Sequence, residues 1–299
     1  LYHWHTDIRI ADVGNIRPGH SLADTYAAVR TVIKALTDEK HTVIILGGSH
    51  DITLAQYGAY AESKKIIEAT CVDTLINLVG ESAIRSENFL MEMLTGEPNY
   101  LGHYNHLAFQ SYLVHPTMLQ TMDKLRFDCY RLGVIKENIQ EMEPVLRHSH
   151  LLSIDMSALA YAYAPGSGIS PNGLNGEEIC TLTRFAGLSD QLSSIGIYGY
   201  NTEDDINLFT AQQIAQMIWY FIDGRAKRQT EAPLTERHHF NEFHVAFNEI
   251  DTLFLQSKRT GRWWMQMPNG KMIPCSQNDY RVASLNEIPE RWFRVQERG

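Results

Sequence analysis

The chain has 299 residues, 44% of them hydrophobic, enough to bury one large core or one core with an appendage, which argues against global disorder. Its formal net charge of -9 disfavours a nucleic-acid binder, which would cluster Lys and Arg on one face, and leaves small molecules or proteins as partners. No apolar run reaches the length of a membrane span, and the four cysteines (Cys71, Cys129, Cys180 and Cys275) form no CxxC pair, a pattern that fits a reducing cytoplasm.

Short β-rich runs alternate with helical patterns along the chain. The opening LYHWHTDIRIADVG begins as if already inside an element, so a preceding segment is expected, and within it DIRIADVG (7–14) reads as a strand. SLADTYAAVRTVIKALTDEK (21–40) reads as a helix with Ser21 and Asp24 at its start. HTVIILGG (41–48), EATCVDTLINL (68–78), HLAFQSYLV (106–114) and KLRFDCYRLG (124–133) read as strands, and KENIQEMEPVLRHS (136–149) as a helix. Two more strands, HSHLLSIDM (148–156) and LSSIGIYGY (192–200), precede a helix over DINLFTAQQIAQMIWYFIDG (205–224) that ends at Gly224. Near-continuous apolar strands separated by helices imply a three-layer α/β domain, with a mostly parallel sheet and ligands at the carboxyl ends of its strands.

From Lys227 to Arg237 the composition turns polar, as in a linker. Beyond it, FHVAFNEIDTLFLQ and GRWWMQMPNGKMIPCS imply a β-rich extension with an Asn269-Gly270 hairpin turn, and SLNEIPERWFRVQER a closing helix or coil. The expected division is an α/β domain over 1–230 and a Trp- and Arg-rich extension over 231–299.

Four segments at predicted strand ends carry the chemistry: GGSHD (47–51), VDTLIN (72–77), SIDMS (153–157) followed by APGSG (164–168), and GYNTEDDINLFTAQQIA (199–215). In order and approximate spacing, up to Gly224, they resemble the ureohydrolases, the family of arginase, agmatinase and formimidoylglutamase. The resemblance implies an eight-stranded, mostly parallel sheet whose first strand precedes Leu1. It also implies hydrolysis of a guanidino or formimino C–N bond with water activated between two manganese ions.

Carried over residue by residue, the family's GGxH histidine matches His50, the first Asp of its DAHxD motif matches Asp73, and the first Asp of its SxDxD motif matches Asp155. The remaining ligand positions are degenerate: Leu75 replaces the DAHxD histidine, Asn77 its second aspartate, and Ser157 the second SxDxD aspartate. Leucine offers no lone pair and serine no charge at neutral pH, so the second ion's site is expected to be empty. One manganese or other divalent ion, or none, is left to His50, Asp73 and Asp155 with Asn77 as a weak neutral fourth ligand. The acid that clamps a cationic substrate in the family falls on Gly199, and the acid before its APG turn is also missing from AYAYAPG.

Beside these stand plainer readings. His50 also suits a hydrogen-bonded turn, and Asp51, Glu203, Asp204 and Asp205 suit residues that cap or flank helices beginning just after them. The pairs in HWH (3–5), HSH (148–150) and His238-His239 supply too few ligands for a metal. The proton-transfer histidine that the resemblance implies after DAHxD has no candidate between Asn77 and Tyr100, and His103 and His106, which come later, are not assigned that role. In the extension, Arg262, Trp263, Trp264, Arg291 and Trp292 match the anchors of protein interfaces, or else an extra hairpin packed on the main domain. The expected function is therefore a degenerate arginase- or formimidoylglutamase-like protein, a pseudoenzyme that binds a protein partner or a small metabolite. The alternative is a single-metal hydrolase of formiminoglutamate, agmatine or arginine type amidines. Family resemblance also implies a homo-oligomer.

Overall fold

A computed structural model describes residues 5, 7–80 and 82–298. Its first sheet has six strands, all parallel: β1 (Val43–Leu46), β2 (Ile67–Val72), β3 (Leu101–Phe109), β4 (Asp128–Arg131), β5 (Leu151–Asp155) and β6 (Ser194–Tyr198), in the order β1-β6-β5-β2-β3-β4. Ten helices are described: α1 (Leu22–Asp38), α2 (Ile52–Glu62), α3 (Arg85–Thr95), α4 (Pro116–Lys124), α5 (Leu132–Glu137), α6 (Glu143–His148), α7 (Gly176–Leu188), α8 (Phe209–Lys227), α9 (Gln277–Ser284) and α10 (Glu290–Glu297). A second, antiparallel sheet is the meander β7 (Phe240–Phe247), β8 (Ile250–Ser257), β9 (Trp263–Gln266) and β10 (Met272–Cys275).

Strand periodicity divides the core between the two faces of the parallel sheet. Ala69 and Cys71 of β2 pack with Phe89, Leu90 and Met122 from α3 and α4, whereas Val72, Leu152 and Ile154 pack with Ile179, Phe185, Met217 and Phe221 from α7 and α8. The result is the three-layer α/β architecture with a β-rich C-terminal extension.

Local chemistry explains several boundaries. The Ser21 hydroxyl accepts from the Asp24 amide and the Asp24 carboxylate accepts from the Ser21 amide, a reciprocal cap that starts α1. The single helix expected over 136–149 is broken into α5, a 3-10 turn over Ile139–Met142, and α6. Pro144 supplies no amide for an intrahelical bond and its ring clashes with the carbonyl four residues back, so a continuous helix cannot form there.

Gly224 does not end α8, which runs on to Lys227. A Cβ at Gly224 would lie 2.3 Å from the Arg184 carbonyl oxygen, and one at Gly187 would lie 2.1 Å from the Phe221 carbonyl oxygen, so this glycine pair lets α7 and α8 pack backbone to backbone. Among the described residues the parallel sheet has six strands rather than eight. The expected strand DIRIADVG is irregular chain with Ile10 and Val13 exposed, because its alternation finds no ladder partner. His3 of the HWH triplet lies outside the described residues, and His5 pairs with Asp223 at 3.1 Å.

Candidate metal centre

Val72 of β2 pairs with Ile154 of the adjacent parallel β5, so the next residues, Asp73 and Asp155, leave the carboxyl ends of the two strands side by side. His50 reaches the same place from the turn between β1 and α2, which Gly47 and Gly48 enter at φ +89° and +81°. His50 Nδ1 lies 2.8 Å from Asp73 Oδ2 and 3.5 Å from Asp155 Oδ2. One ligand atom from each of the three residues falls within 4.8 Å of the others, so the structure brings together the three competent positions of the sequence.

His50 and Asp73 are almost fully buried, 2% and 3% exposed, whereas Asp155 keeps an outlet to solvent. A nitrogen facing two carboxylates must carry a proton or look at a cation. Burial opposes protonation of His50, but Cys71 and Asp73 outweigh it and raise the imidazole well above its ordinary pKa. Burial likewise works against ionised Asp73, yet His50 and His106 hold its pKa below the usual carboxylate value. Asp155 moves the other way, raised by burial and by the Asp73 charge.

The three positions expected to be degenerate surround this cluster. The Leu75 amide donates to Asp73 Oδ1 at 3.0 Å, Ser157 Oγ donates to the same oxygen at 3.4 Å, and the Ser157 amide donates to Asp155 Oδ1 at 2.8 Å. Asn77 is a further polar side chain at the cluster. Its Nδ2 donates to Asp73 Oδ2 at 2.6 Å and lies 3.4 Å from His50 Nδ1.

Gly199 has φ +76° and its amide donates to the Gly48 carbonyl at 2.9 Å. A Cβ there would lie 2.9 Å from both Asp155 carboxylate oxygens. Gly199→Ala is therefore expected to cost about 1–3 kcal/mol, from the left-handed backbone and the displaced carboxylate, measured as a shift in the denaturation midpoint. The APG turn retains its packing: Gly166 N donates to Thr210 Oγ1 at 2.9 Å, and Asn201 N donates to the Gly166 carbonyl at 3.0 Å.

Sequence reading missed the groups behind His50. Its Nε2 lies 2.9 Å from Ser153 Oγ and 3.3 Å from Cys71 Sγ, and Thr53 Oγ1 lies 2.6 Å from the same serine oxygen. The available signal was a polar Ser153 inside the otherwise apolar run LLSI. Asp205 caps α8 as expected, accepting from the Thr210 and Ala211 amides at 2.8 and 3.0 Å. Asp51 flanks α2 at its N-cap position without a side-chain capping bond; its carboxylate accepts from the Tyr26 and Ser49 hydroxyls instead.

His106 is fully buried, hydrogen-bonded to the Asp73 carbonyl at 3.2 Å and the Tyr104 hydroxyl at 3.0 Å, and burial pushes its pKa down to about 4. His103 is 3.1 Å from Asp128, at the other end of β3. His238, His239 and Glu236 form an exposed second group at metal-ligand spacing.

The extension's expected interface anchors lie inside the chain. Trp263, Trp264 and Trp292 are 5–6% exposed; Trp263 stacks on Tyr280 and Phe243, and Trp292 meets Phe247 edge to face. Arg262 pairs with Glu143 at 3.0 Å, and Arg291 with Asp279 at 3.1 Å and Glu141 at 3.5 Å. These five side chains therefore hold the second sheet together and to the α/β layers, because an aromatic and cationic set this large can bury its area against its own chain. Among the described residues no helix is long and apolar enough to cross a membrane.

Comparison with known proteins agrees with this architecture. Residues 1–73 match the model of the Arginase family. The formimidoylglutamase of Bacillus subtilis subsp. subtilis str. 168 superposes with a TM-score of 0.63 at 17% identity, over 71% of this chain and 70% of that one. A Trypanosoma cruzi formiminoglutamase solved with manganese gives 0.65 at 13% identity, over 71% and 74%. The agmatine ureohydrolase of Thermoplasma volcanium gives 0.61 at 22% identity, over 72% and 73%. No curated protein matches the sequence. The chain thus shares the arginase fold over about seven-tenths of its length with these structures, at low identity, and its opening 73 residues match the Arginase family model.

Proposed function

We propose that this protein is a ureohydrolase-fold binding protein that holds at most one divalent cation, at His50, Asp73 and Asp155, and lacks the two-ion hydrolysis of its structural neighbours. One observation carries the proposal: three ligand atoms converge within 4.8 Å. Leu75 and Ser157 occupy the positions that the family resemblance gives to the second ion's own ligands. An imidazole nitrogen and two carboxylates suit manganese or zinc, with open positions for water or a ligand.

When bound, a divalent ion supplies Lewis acidity and lowers the pKa of a coordinated water. Ser153 and Cys71 hold the far side of the His50 ring, and the Leu75 and Ser157 amides orient the two carboxylates. A guanidinium clamp is absent at Gly199, which favours binding over turnover of cationic amidines. The outlet at Asp155 is what favours the second reading, a single-metal amidine hydrolase, since a substrate could reach the ion there.

The deciding test is manganese and zinc content after metal soaking, with His50→Ala in parallel and with formiminoglutamate, agmatine and arginine assayed for hydrolysis. One ion per chain without turnover is the expected result, and His50→Ala should weaken the ion by about 100-fold or more, since even indirect supports of a metal ligand are worth 10–100-fold. Turnover by the one-ion protein would favour the hydrolase; two ions in the unmodified chain would overturn both readings.

A further inference from the structure

At the opposite end of the parallel sheet from the cation cluster, the structure has a cavity of about 230 Å³ between the strand starts and the C-terminal extension. Glu68, His103 and Asp128 at the starts of β2, β3 and β4 form one wall, with His148 at the end of α6; Lys271 and Arg298 come from the extension. At about 30 Å³ per water-sized group, the space suits a molecule of about eight non-hydrogen atoms. None of its lining residues belongs to the cation cluster. Glu68 and Asp73 lie five residues apart, on β2 and just beyond it, a span of about 17 Å at 3.3 Å per residue.

The charges in this cavity are unevenly matched. Asp128 is saturated: His103 lies 3.1 Å away, Arg294 3.4 Å away, and Arg298 Nη2 donates to it, so its carboxyl sits at about 2 despite burial. Arg291 is taken by Asp279 and Glu141. Glu68 has a loose partner in His148 at 3.7 Å. Two cationic side chains of the extension line the space. Lys271 is exposed at the rim with no ion pair among the described residues, and Arg298 gives one guanidinium nitrogen, Nη2, to Asp128.

We propose that this cavity is a binding site for a small carboxylate metabolite, its carboxylate held by Lys271 and Arg298. The proposal is independent of the cation cluster. The shared chemistry is the carboxylate, and two probes of the right size separate its sources: succinate carries a second carboxylate, and L-aspartate adds an ammonium group that Glu68 can accept.

Isothermal titration of the full chain with succinate, L-aspartate and inorganic phosphate tests it. Saturable binding of one or both carboxylates is expected, weakened about tenfold or more by Lys271→Glu and unchanged by His50→Ala. Lys271 is exposed, so its variant should melt like the parent; Arg298→Gln is secondary because Arg298 also pairs with Asp128. Tighter binding of L-aspartate that falls to the succinate level in Glu68→Gln would identify the amino-acid form. Absence of binding by both carboxylates, binding of phosphate alone, or binding lost in His50→Ala but kept in Lys271→Glu would each overturn the proposal.

Discussion

Leu75→His, Asn77→Asp and Ser157→Asp introduced together are expected to raise the manganese retained per chain from one ion to two, read by elemental analysis after equilibrium dialysis. The triple change returns an imidazole and two carboxylates to the positions that are degenerate here, around an Asp73 and an Asp155 already in place. Without metal the same variant should be less stable than the parent. Two new anions would face Asp73 and Asp155, and the Asn77 amide that donates to Asp73 at 2.6 Å would be lost. With manganese at about 100 times its dissociation constant, a second occupied site contributes about 2.7 kcal/mol, so the order should reverse in a thermal melt. On the proposed reading the triple variant is not expected to hydrolyse amidines, because Gly199 leaves no acid over the site. A variant that still retains a single ion would show that something other than these three side chains excludes the second.

The largest stability loss is expected for Arg147→Ala, about 3–5 kcal/mol by denaturant titration, because it leaves buried partners uncompensated. Arg147 on α6 is 6% exposed. Its Nε donates to Glu143 Oε1 at 3.1 Å and its Nη1 to the Trp263 carbonyl at 3.0 Å, while its guanidinium lies 4.8 Å from the centre of the Trp264 ring. One side chain thus bonds its own helix, the backbone of β9 and an aromatic face of the second sheet. Arg147→Lys should recover only part of the loss, since an ammonium cannot serve the carboxylate and the carbonyl in one plane. A loss below about 1 kcal/mol would place this contact among ordinary surface pairs.

In the parallel sheet, β2, β5 and β6 were legible because their runs are largely apolar and buried, whereas β3 starts five residues before the run expected at 106–114, because Gly102, His103 and Asn105 break its apolar pattern. The ligand cluster was legible because it lies where the strands stop. What was not legible needed a partner elsewhere in the chain. DIRIADVG has a strand's alternation and no neighbour to pair with. The break at Asn138 and Pro144 hides inside a helical pattern, and Gly224 reads as a stop when it is a contact surface for Gly187. At the site, residue types indicated His50, Asp73 and Asp155, but only geometry shows which end of the Asn77 amide faces them and that Ser153 and Cys71 stand behind the ring. Trp263, Trp264 and Trp292 illustrate the same limit: composition marks an aromatic anchor without saying whether its pocket belongs to another molecule or to its own chain.

The hydrogen-bonded closure of the cation cluster has a consequence for occupancy. Despite burial, Asp73 beside it raises His50 above its ordinary pKa, which favours the protonated imidazole, while the Asn77 amide donates to Asp73. An incoming divalent ion must displace the His50 proton, so below the imidazole's pKa its apparent affinity should fall about tenfold for each unit of acidification, while above that pKa the ion meets a free lone pair. On the proposed reading the cluster exchanges protons for a divalent ion, and acidification is expected to unload it through His50.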